Sequence, residues 1–474
     1  MVNSLDSTAG VERLPTRTRL AARVGGAVGG LSRRLGRGTG SVIGGRAILA
    51  IDPLALRRLS RGRRIAVVSG TNGKTTTTTL LSAALSRRGA VVSNTLGANL
   101  TPGLTAALAA APADAQLAAL EVDEAWLGQV VTATDPEVVL LLNLSRDQLD
   151  RNNEVRRLAA AWREMIAQRK ALGTAPHIVA NADDPLVAWA AQTALTVPAP
   201  DVAEADGTVA TAGTAATAGT AGAAGTAGAA GTAGTAGTTG SVTWVGAGQR
   251  WTADAAGCPN CGGRILFPSE LGGAWACSDC QLRRPDLDVW LDGDEVVFGD
   301  GPRITVRLQL PGRINLANAA MAMAAATRFG VDRNEAAAAM TNTSEVAGRY
   351  RTVRVGDVSA RLLLAKNPAG WLETFDLLSP SPMPVVVAIN ARIADGKDPS
   401  WLWDVPFERL QGRLVVATGE RSADLAVRLR YADVDHRRQP DLLQAIGEAG
   451  ADRVDVVANY TTFQAINRRL AHGA

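Results

Sequence analysis

The sequence predicts an α/β protein: a mostly parallel sheet built around a phosphate-binding loop, carrying an inserted four-cysteine zinc ribbon, and followed by a smaller, Rossmann-like C-terminal α/β domain. Three observations predict it. A short apolar run at residues 64–69 leads directly into Gly70-Thr71-Asn72-Gly73-Lys74-Thr75-Thr76 and then a helical stretch to about residue 88. The four cysteines, Cys258, Cys261, Cys277 and Cys280, form two Cys-x-x-Cys pairs separated by fifteen residues. Beyond residue 348, strand-like and helix-like segments alternate for a second time.

Length and composition fit this reading. At about 150 residues per domain, 474 residues make about three domains, and 46% hydrophobic with 20% charged residues is a core-forming composition that excludes a disordered or fibrous chain. The expected division is a basic segment at 1–60, a central ATP-binding domain at 61–345 and a C-terminal domain at 346–474. The central domain holds a low-complexity loop at 206–240 and the ribbon at 250–290. No apolar run reaches 18 residues, and Asp6, Glu12, Arg13, Arg17 and Arg19 break up the start, so neither a transmembrane helix nor a secretory signal is expected. A cytoplasmic chain is the expectation.

Charge is unevenly spread. Residues 1–64 contain thirteen arginines against Asp6, Glu12 and Asp52, so the remainder of the chain is acidic although the whole is +4. Such a segment suits an anionic membrane face or nucleic acid, while Gly-rich arginine stretches are commonly just solvated. The lack of aromatic residues among these arginines speaks against nucleic acid.

In the loop, the backbone N–H groups of Gly70–Thr75 are placed to wrap phosphate oxygens, Lys74 to neutralise the β/γ-phosphates of ATP and the Thr75 hydroxyl to ligate Mg²⁺. Val68 stands where the general phosphate-loop pattern has glycine, so this is the narrower T-N-G-K-T variant. Further strand patterns occur at 116–122, 137–144 and 177–181, with a helical pattern at 153–172. At the end of the first stand Glu121, Asp123 and Glu124; alternation puts Glu121 and Asp123 on one side, and one of these acids is expected to complete the Mg²⁺ shell. Acidic residues at a helix N-terminus are the alternative, weighing more for Glu124. Asn143 ends another strand, where open sheets bind ligands.

Residues 206–240 are almost wholly Ala, Gly and Thr, lack large apolar side chains and read as a surface loop. The two cysteine knuckles that follow can complete a tetrahedral four-thiolate zinc site with no open position, hence a structural metal. Two disulfides would instead suit a secreted chain. A strand at 303–310 and an Ala/Met-rich helix at 315–329 return to the central domain. C-terminal strands are read near 360–365, 383–390, 414–418 and 455–458, alternating with helices near 370–378, 422–430 and 461–470.

These residues together resemble the Mur ligase family, and within it the MurT branch of synthetase subunits that amidate D-glutamate in lipid II alongside a GatD-like glutaminase. The resemblance runs from about residue 38 to the end. It rests on GTNGKTTT at 70–77, LEVDE at 120–124, NLSRDQLDR at 143–151, NADDP at 181–185, LPGRINLANA at 310–319, AGR at 347–349, KNPAG at 366–370 and ADGKDPSWLWD at 394–404, with the inserted ribbon. The resemblance implies ATP held by Lys74 and Thr75, magnesium by Glu121, the adenine side of the nucleotide by Asn315 and Asn318, and Arg349 reaching back to the phosphates. It departs from the family at Gln148, where most Mur ligases have His, which puts a second metal in doubt. The usual large UDP-binding domain is not expected, since only about 60 residues precede the loop; a lipid-linked substrate is consistent with that.

The implied reaction is amidation of the α-carboxylate of D-isoglutamate in the lipid II stem peptide through an acyl phosphate. A glutaminase needs a nucleophilic cysteine and base, yet the zinc pattern claims all four cysteines and Met1 is followed by Val2. Ammonia is therefore expected from a glutaminase partner in a heterodimer. By resemblance, Asp395 or Asp398 completes that partner's Cys/His triad, Asp398 being slightly favoured; the alternative is that they cap the turn leading to Trp401 and Trp403. His177, His436 and His472 read as surface or strand-edge residues. Two competing readings are a stand-alone Mur-type amino-acid ligase or folylpolyglutamate-type synthetase, and a zinc-ribbon nucleic-acid-binding ATPase. Only Arg250, Arg264, Arg283 and Arg284 stand near the ribbon to support the last, so no nucleic-acid partner is expected.

Overall fold

The computed structural model describes residues 14–35, 40–94, 98–112, 114–146, 155–195, 241–248, 250–268, 273–343, 350–392 and 395–471. The low-complexity stretch 206–240, Gln148, Arg349 and His472 lie outside the described residues. The chain opens with three helices, α1 (Thr16–Arg34), α2 (Ser41–Ile51) and α3 (Ala55–Ser60). Charge alone made this a solvated segment, yet Ala21, Ile48, Ala55, Leu56 and Leu59 are buried in the same core as the first strand.

The central domain continues through β1 (Arg64–Ser69), α4 (Lys74–Leu85), β2 (Val91–Ser93), α5 (Thr101–Ala109), β3 (Leu117–Glu121), α6 (Leu127–Thr134), β4 (Val138–Leu141), α7 (Val155–Ala171), β5 (His177–Asn181) and α8 (Pro185–Ala191). After β6 (Val242–Gly246) come the ribbon strands β7 (Ile265–Leu266) and β8 (Ala276–Cys277). The domain closes with β9 (Val289–Asp292), β10 (Glu295–Phe298), β11 (Arg303–Thr305), α9 (Arg313–Arg328) and α10 (Arg333–Thr341). Among the described residues the main sheet has the order β11-β10-β9-β6-β5-β4-β1-β3-β2. β1 to β6 pair in parallel, and β9 to β11 add an antiparallel edge. Central strands read as continuous apolar runs because both faces are covered. Ile65 and Val67 of β1 face the core of α2, α3 and α5 to α8, while Ala66 and Val68 face that of α4, α9 and α10.

The C-terminal domain comprises β12 (Tyr350–Val355), β13 (Val358–Leu364), α11 (Pro368–Phe375), β14 (Val385–Ala388), β15 (Val415–Thr418), α12 (Ser422–Tyr431), β16 (His436–Arg438), α13 (Leu442–Gly447), β17 (Arg453–Ala458) and α14 (Tyr460–Ala471). Its order is β12-β13-β17-β14-β15-β16, parallel except for the β12–β13 pair. The sequence reading missed β12. Its signal was the two-residue Gly356-Asp357 turn between alternating runs, with Gly356 at φ 57°, which favours a tight antiparallel return.

His177, at the start of β5, is not a free surface residue. Its ring contacts Ser241 Oγ (2.5 Å) and Thr243 Oγ1 (2.8 Å). Burial, then the charge of Arg328, push its pKa down to about 4. Since an unfolded histidine titrates near 6.5, the unfolded chain binds a proton that the folded chain refuses between these values. Stability from this group is therefore full above pH about 6.5 and falls by up to about 3 kcal/mol as pH drops toward 4. Denaturant unfolding across that window should show the loss, and His177→Gln should flatten it; an unchanged slope would remove His177 as its source.

Candidate ATP and metal sites

The phosphate loop leaves β1 between β3 and β4, the crevice where an open sheet binds ligands. Asn143, beyond β4, braces it: Thr71 N donates to Asn143 O (2.9 Å), Asn72 N to Asn143 Oδ1 (2.9 Å), and Asn143 Nδ2 to Asn72 O (3.0 Å). Gly73 sits at φ 84°, and a Cβ there would lie 2.6 Å from Asn318 Oδ1. The left-handed backbone there is what calls for glycine. No side chain caps the start of α4, so its first N–H groups point into the loop as an anion cradle.

Lys74 is buried, its Nζ donating to Gly70 O (2.6 Å) and paired with Glu124 Oε2 at 3.1 Å. Glu124, read from sequence as the weaker magnesium candidate, thus holds the loop lysine. Glu121 ends β3 only 3% exposed. Asn99 Nδ2 approaches its Oε1 at 3.5 Å, and its buried Oε2 has no hydrogen-bond partner among the described residues. An ionised buried oxygen without a donor is an expensive arrangement that a cation relieves. Glu121, with the nearly buried Thr75, therefore fits Mg²⁺, which when bound screens the charge of the nucleotide phosphates. Asp123 instead accepts from Ala125 N (3.1 Å).

A cavity between the two domains is lined by Asn72, Gly73 and Thr76 of the loop, by Asn315 and Asn318 of α9, and by side chains of the C-terminal domain. The structure thus brings the loop and both asparagines together. Two lining residues were not read from sequence as site residues: Arg250, and Glu373 on α11; Arg313 stands behind the wall, donating to the lining Ala247 O (3.2 Å). Burial raises the Glu373 carboxyl above its ordinary range, against the opposing charge of Arg250. The signal was absent because these groups meet only when the domains are apposed. Arg349 lies outside the described residues. Asn367, in the KNPAG stretch, joins the domains directly: its carboxamide pairs with that of Asn72 at 3.3 and 3.4 Å while its Oδ1 caps α11 at Gly370 N (2.8 Å).

The four cysteine sulfurs lie within 4.8 Å of one another, with Cys258–Cys280 at 3.7 Å and Cys261–Cys277 at 3.5 Å. With metal–sulfur bonds of about 2.3 Å, a tetrahedral edge is about 3.8 Å, so the set fits a four-thiolate metal. Backbone N–H groups of Asn260, Gly263 and Asp279 point at Cys258, Cys261 and Cys277 Sγ (3.3–3.4 Å). Such donors stabilise thiolates.

Asp395 and Asp398 part company. Asp395 is buried, accepts from Thr461 N (2.8 Å) and from the Thr461 hydroxyl, and so fixes the start of α14. Asp398 is exposed and accepts a local bond from Ser400 N (2.9 Å).

A phosphate loop facing a second α/β domain across a shared cavity is the architecture of an ATP-dependent ligase, and the comparisons with known proteins agree with that class. Residues 68–216 match the Mur ligase middle domain and residues 364–463 the MurT ligase C-terminal domain. The chain is 27% identical, over 92% of its length and 93% of the relative's, to the lipid II isoglutaminyl synthase (glutamine-hydrolyzing) subunit MurT of Streptococcus pneumoniae. The Staphylococcus aureus protein of the same name is 25% identical over 85% of each chain. In fold it is similar to a pseudomurein peptide ligase type C from Methanothermus fervidus (TM-score 0.60, 16% identity, 86% of this chain and 79% of that one). MurF from Acinetobacter baumannii is also similar (TM-score 0.56, 13% identity, 91% and 80%). The chain belongs to the Mur ligase family, in its MurT branch, and is an ATP-dependent carbon–nitrogen ligase. Mur ligases use ATP and Mg²⁺.

Proposed function

We propose that this chain is the synthetase half of a two-subunit enzyme that converts the α-carboxylate of D-isoglutamate in the lipid II stem peptide to the carboxamide of D-isoglutamine. The observation that carries this reading is the likeness to the MurT subunits over 92% of the chain. A carboxylate does not react with ammonia until one oxygen becomes a leaving group. Its oxygen attacks the γ-phosphorus of ATP, the bond to the ADP oxygen breaks, and an acyl phosphate forms. Lys74, and Arg349 by resemblance, offset the charge on the transferring phosphoryl. Ammonia then attacks the carbonyl carbon, the carbon–oxygen bond to phosphate breaks, and the amide nitrogen loses a proton. Domain apposition through Asn72 and Asn367 keeps water from the acyl phosphate.

The chain's four cysteines, all in the metal cluster, leave it no nucleophile for glutamine hydrolysis. Ammonia comes from a glutaminase partner, GatD-like, in a heterodimer, and the ribbon metal is structural zinc. Exposure favours Asp398 over Asp395 as the acid offered to that partner. No helix among the described residues is long and apolar enough to cross a membrane, and we place the enzyme in the cytoplasm, at the inner membrane face.

The test is mass spectrometry of lipid II after incubation with ATP, Mg²⁺ and either ammonium or glutamine plus the partner. One stem-peptide carboxylate is expected to become a carboxamide in both. Asp398→Asn should lower the glutamine-dependent rate by at least about a hundredfold and leave the ammonium-dependent rate unchanged. Equal loss in both arms would remove Asp398 from the triad. No amide in either arm, with ATP still hydrolysed and an amino acid accepted instead, would overturn the amidation reading.

A further inference from the structure

The outward side of the N-terminal helices is built opposite to what water favours. In α1 the buried positions are Thr18, Ala21, Gly25, Gly29 and Ser32. Leu20, Leu31 and, just beyond the helix, Leu35 are instead 56%, 59% and 61% exposed. A helix packed on a globular core ordinarily buries its leucines. Residues 20, 23, 27, 31 and 34 recur at three- and four-residue steps, so Leu20, Leu31, Arg23 and Arg34 share one face. α2 repeats the arrangement: Gly44, Gly45 and Ile48 are buried, whereas Val42 and Ile43 are 37% and 43% exposed beside the exposed Arg46.

Close packing fixes these faces. A Cβ on Gly25 would lie 2.7 Å from Gly44 O, and one on Gly45 1.8 Å from Pro102 O, so neither helix can turn its leucines or valine inward. From residue 14 to 63 the single acidic side chain is Asp52, buried and bound by Arg58 and Thr18. The outward face therefore mixes arginine and large apolar side chains along the same rows. A protein interface gathers apolar residues centrally and puts charge at the rim. Arginine can lay its methylene stem along apolar surface and carry its charge outward, so a face that interleaves arginine with leucine suits a boundary where anionic phosphates and acyl chains meet.

We propose that α1 and α2 form an interfacial anchor that lies on an anionic bilayer, with Leu20, Leu31, Val42 and Ile43 entering the headgroup–acyl boundary and Arg23, Arg34 and Arg46 at lipid phosphates. This deepens the lipid-linked reading of the site and rests on it for its purpose. The anchor is close to the chemistry: Gly45 abuts Pro102 in the first turn of α5, three residues after Asn99, whose side chain reaches Glu121.

The test is co-sedimentation of the full chain with its partner on vesicles of phosphatidylcholine with or without phosphatidylglycerol. Binding is expected on the anionic vesicles and should weaken with salt. The triple change Arg23→Gln, Arg34→Gln, Arg46→Gln should lower partitioning about a hundredfold. Leu20→Ser with Leu31→Ser and Ile43→Ser should lower it at every ionic strength. All six side chains are exposed, so unchanged melting curves are expected and separate lost docking from lost folding. No binding by the native protein, or equal binding by native protein and variants, would overturn the anchor. So would leucine variants that keep vesicle binding but lose the partner subunit, which would make this face a protein interface. Vesicle binding needs no acceptor, so the anchor stands or falls independently of whether lipid II is amidated.

Discussion

Lys74→Ala should lower ATP-dependent turnover by about three orders of magnitude, the scale on which removing one preorganised charge from a developing oxyanion acts. The loss should fall on kcat more than on KM for the acceptor, because in the proposed reaction the Lys74 side chain acts on the transferring phosphoryl. The same change leaves Glu124 without its counter-charge at a place where both side chains are about nine-tenths buried. Breaking such a pair costs about 3–5 kcal/mol, so the single variant should also melt earlier. Adding Glu124→Gln removes the stranded charge: Lys74→Ala with Glu124→Gln should regain much of the melting temperature and none of the turnover. Calorimetry and an ADP-release assay on the same preparations check this. Recovered turnover in the double variant would mean that Lys74 serves folding alone.

Loss of the ribbon metal should be felt at the nucleotide. Metal analysis should give about one zinc per chain, lost in Cys258→Ser with Cys277→Ser. Four-thiolate sites carry folding free energy on the order of 10 kcal/mol, so the ribbon should unfold without it. Ile265, Trp275 and Leu282 of the ribbon pack in the same core as Trp244 and Ala182, and Trp275 Nε1 donates to Ala182 O at 2.9 Å. Arg284 holds Asp183, whose other oxygen accepts from Gly248 N, and Gly248 lines the cavity. Hydrogen exchange should therefore quicken at residues 180–188 and 242–248, and ATP affinity should fall by about tenfold, the scale on which outer supporting contacts act. A metal-free protein with native exchange and native ATP affinity would sink the coupling.

The phosphate loop and the cysteine cluster were legible because their chemistry is local: a few consecutive residues carry the shape and the ligands. The sheet strands were legible for a related reason, since runs such as residues 64–69 and 177–181 are apolar enough to be buried on both faces. The N-terminal helices were not, because α1 buries Gly, Ala, Ser and Thr and shows its leucines, so its periodic signal points the wrong way. The Lys74–Glu124 pair spans fifty residues and a strand crossing. Spacing alone could not choose between magnesium and lysine for Glu124. Asp395 and Asp398 looked alike in sequence; only the fold, by bringing Thr461 against Asp395, tells them apart. Glu373 and Arg250 approach one another only across the domain boundary.

The paired carboxamides of Asn72 and Asn367 join the glycine-rich loop to the cap of a helix in the other domain. Rotation of the C-terminal domain would separate that pair while leaving the cap intact, so the orientation of the domains and the state of the loop belong to one equilibrium. By linkage, any free energy with which a nucleotide favours the paired arrangement returns as resistance of the domains to opening. Closure of the domains and the grip on the nucleotide are then two sides of a single coupling free energy.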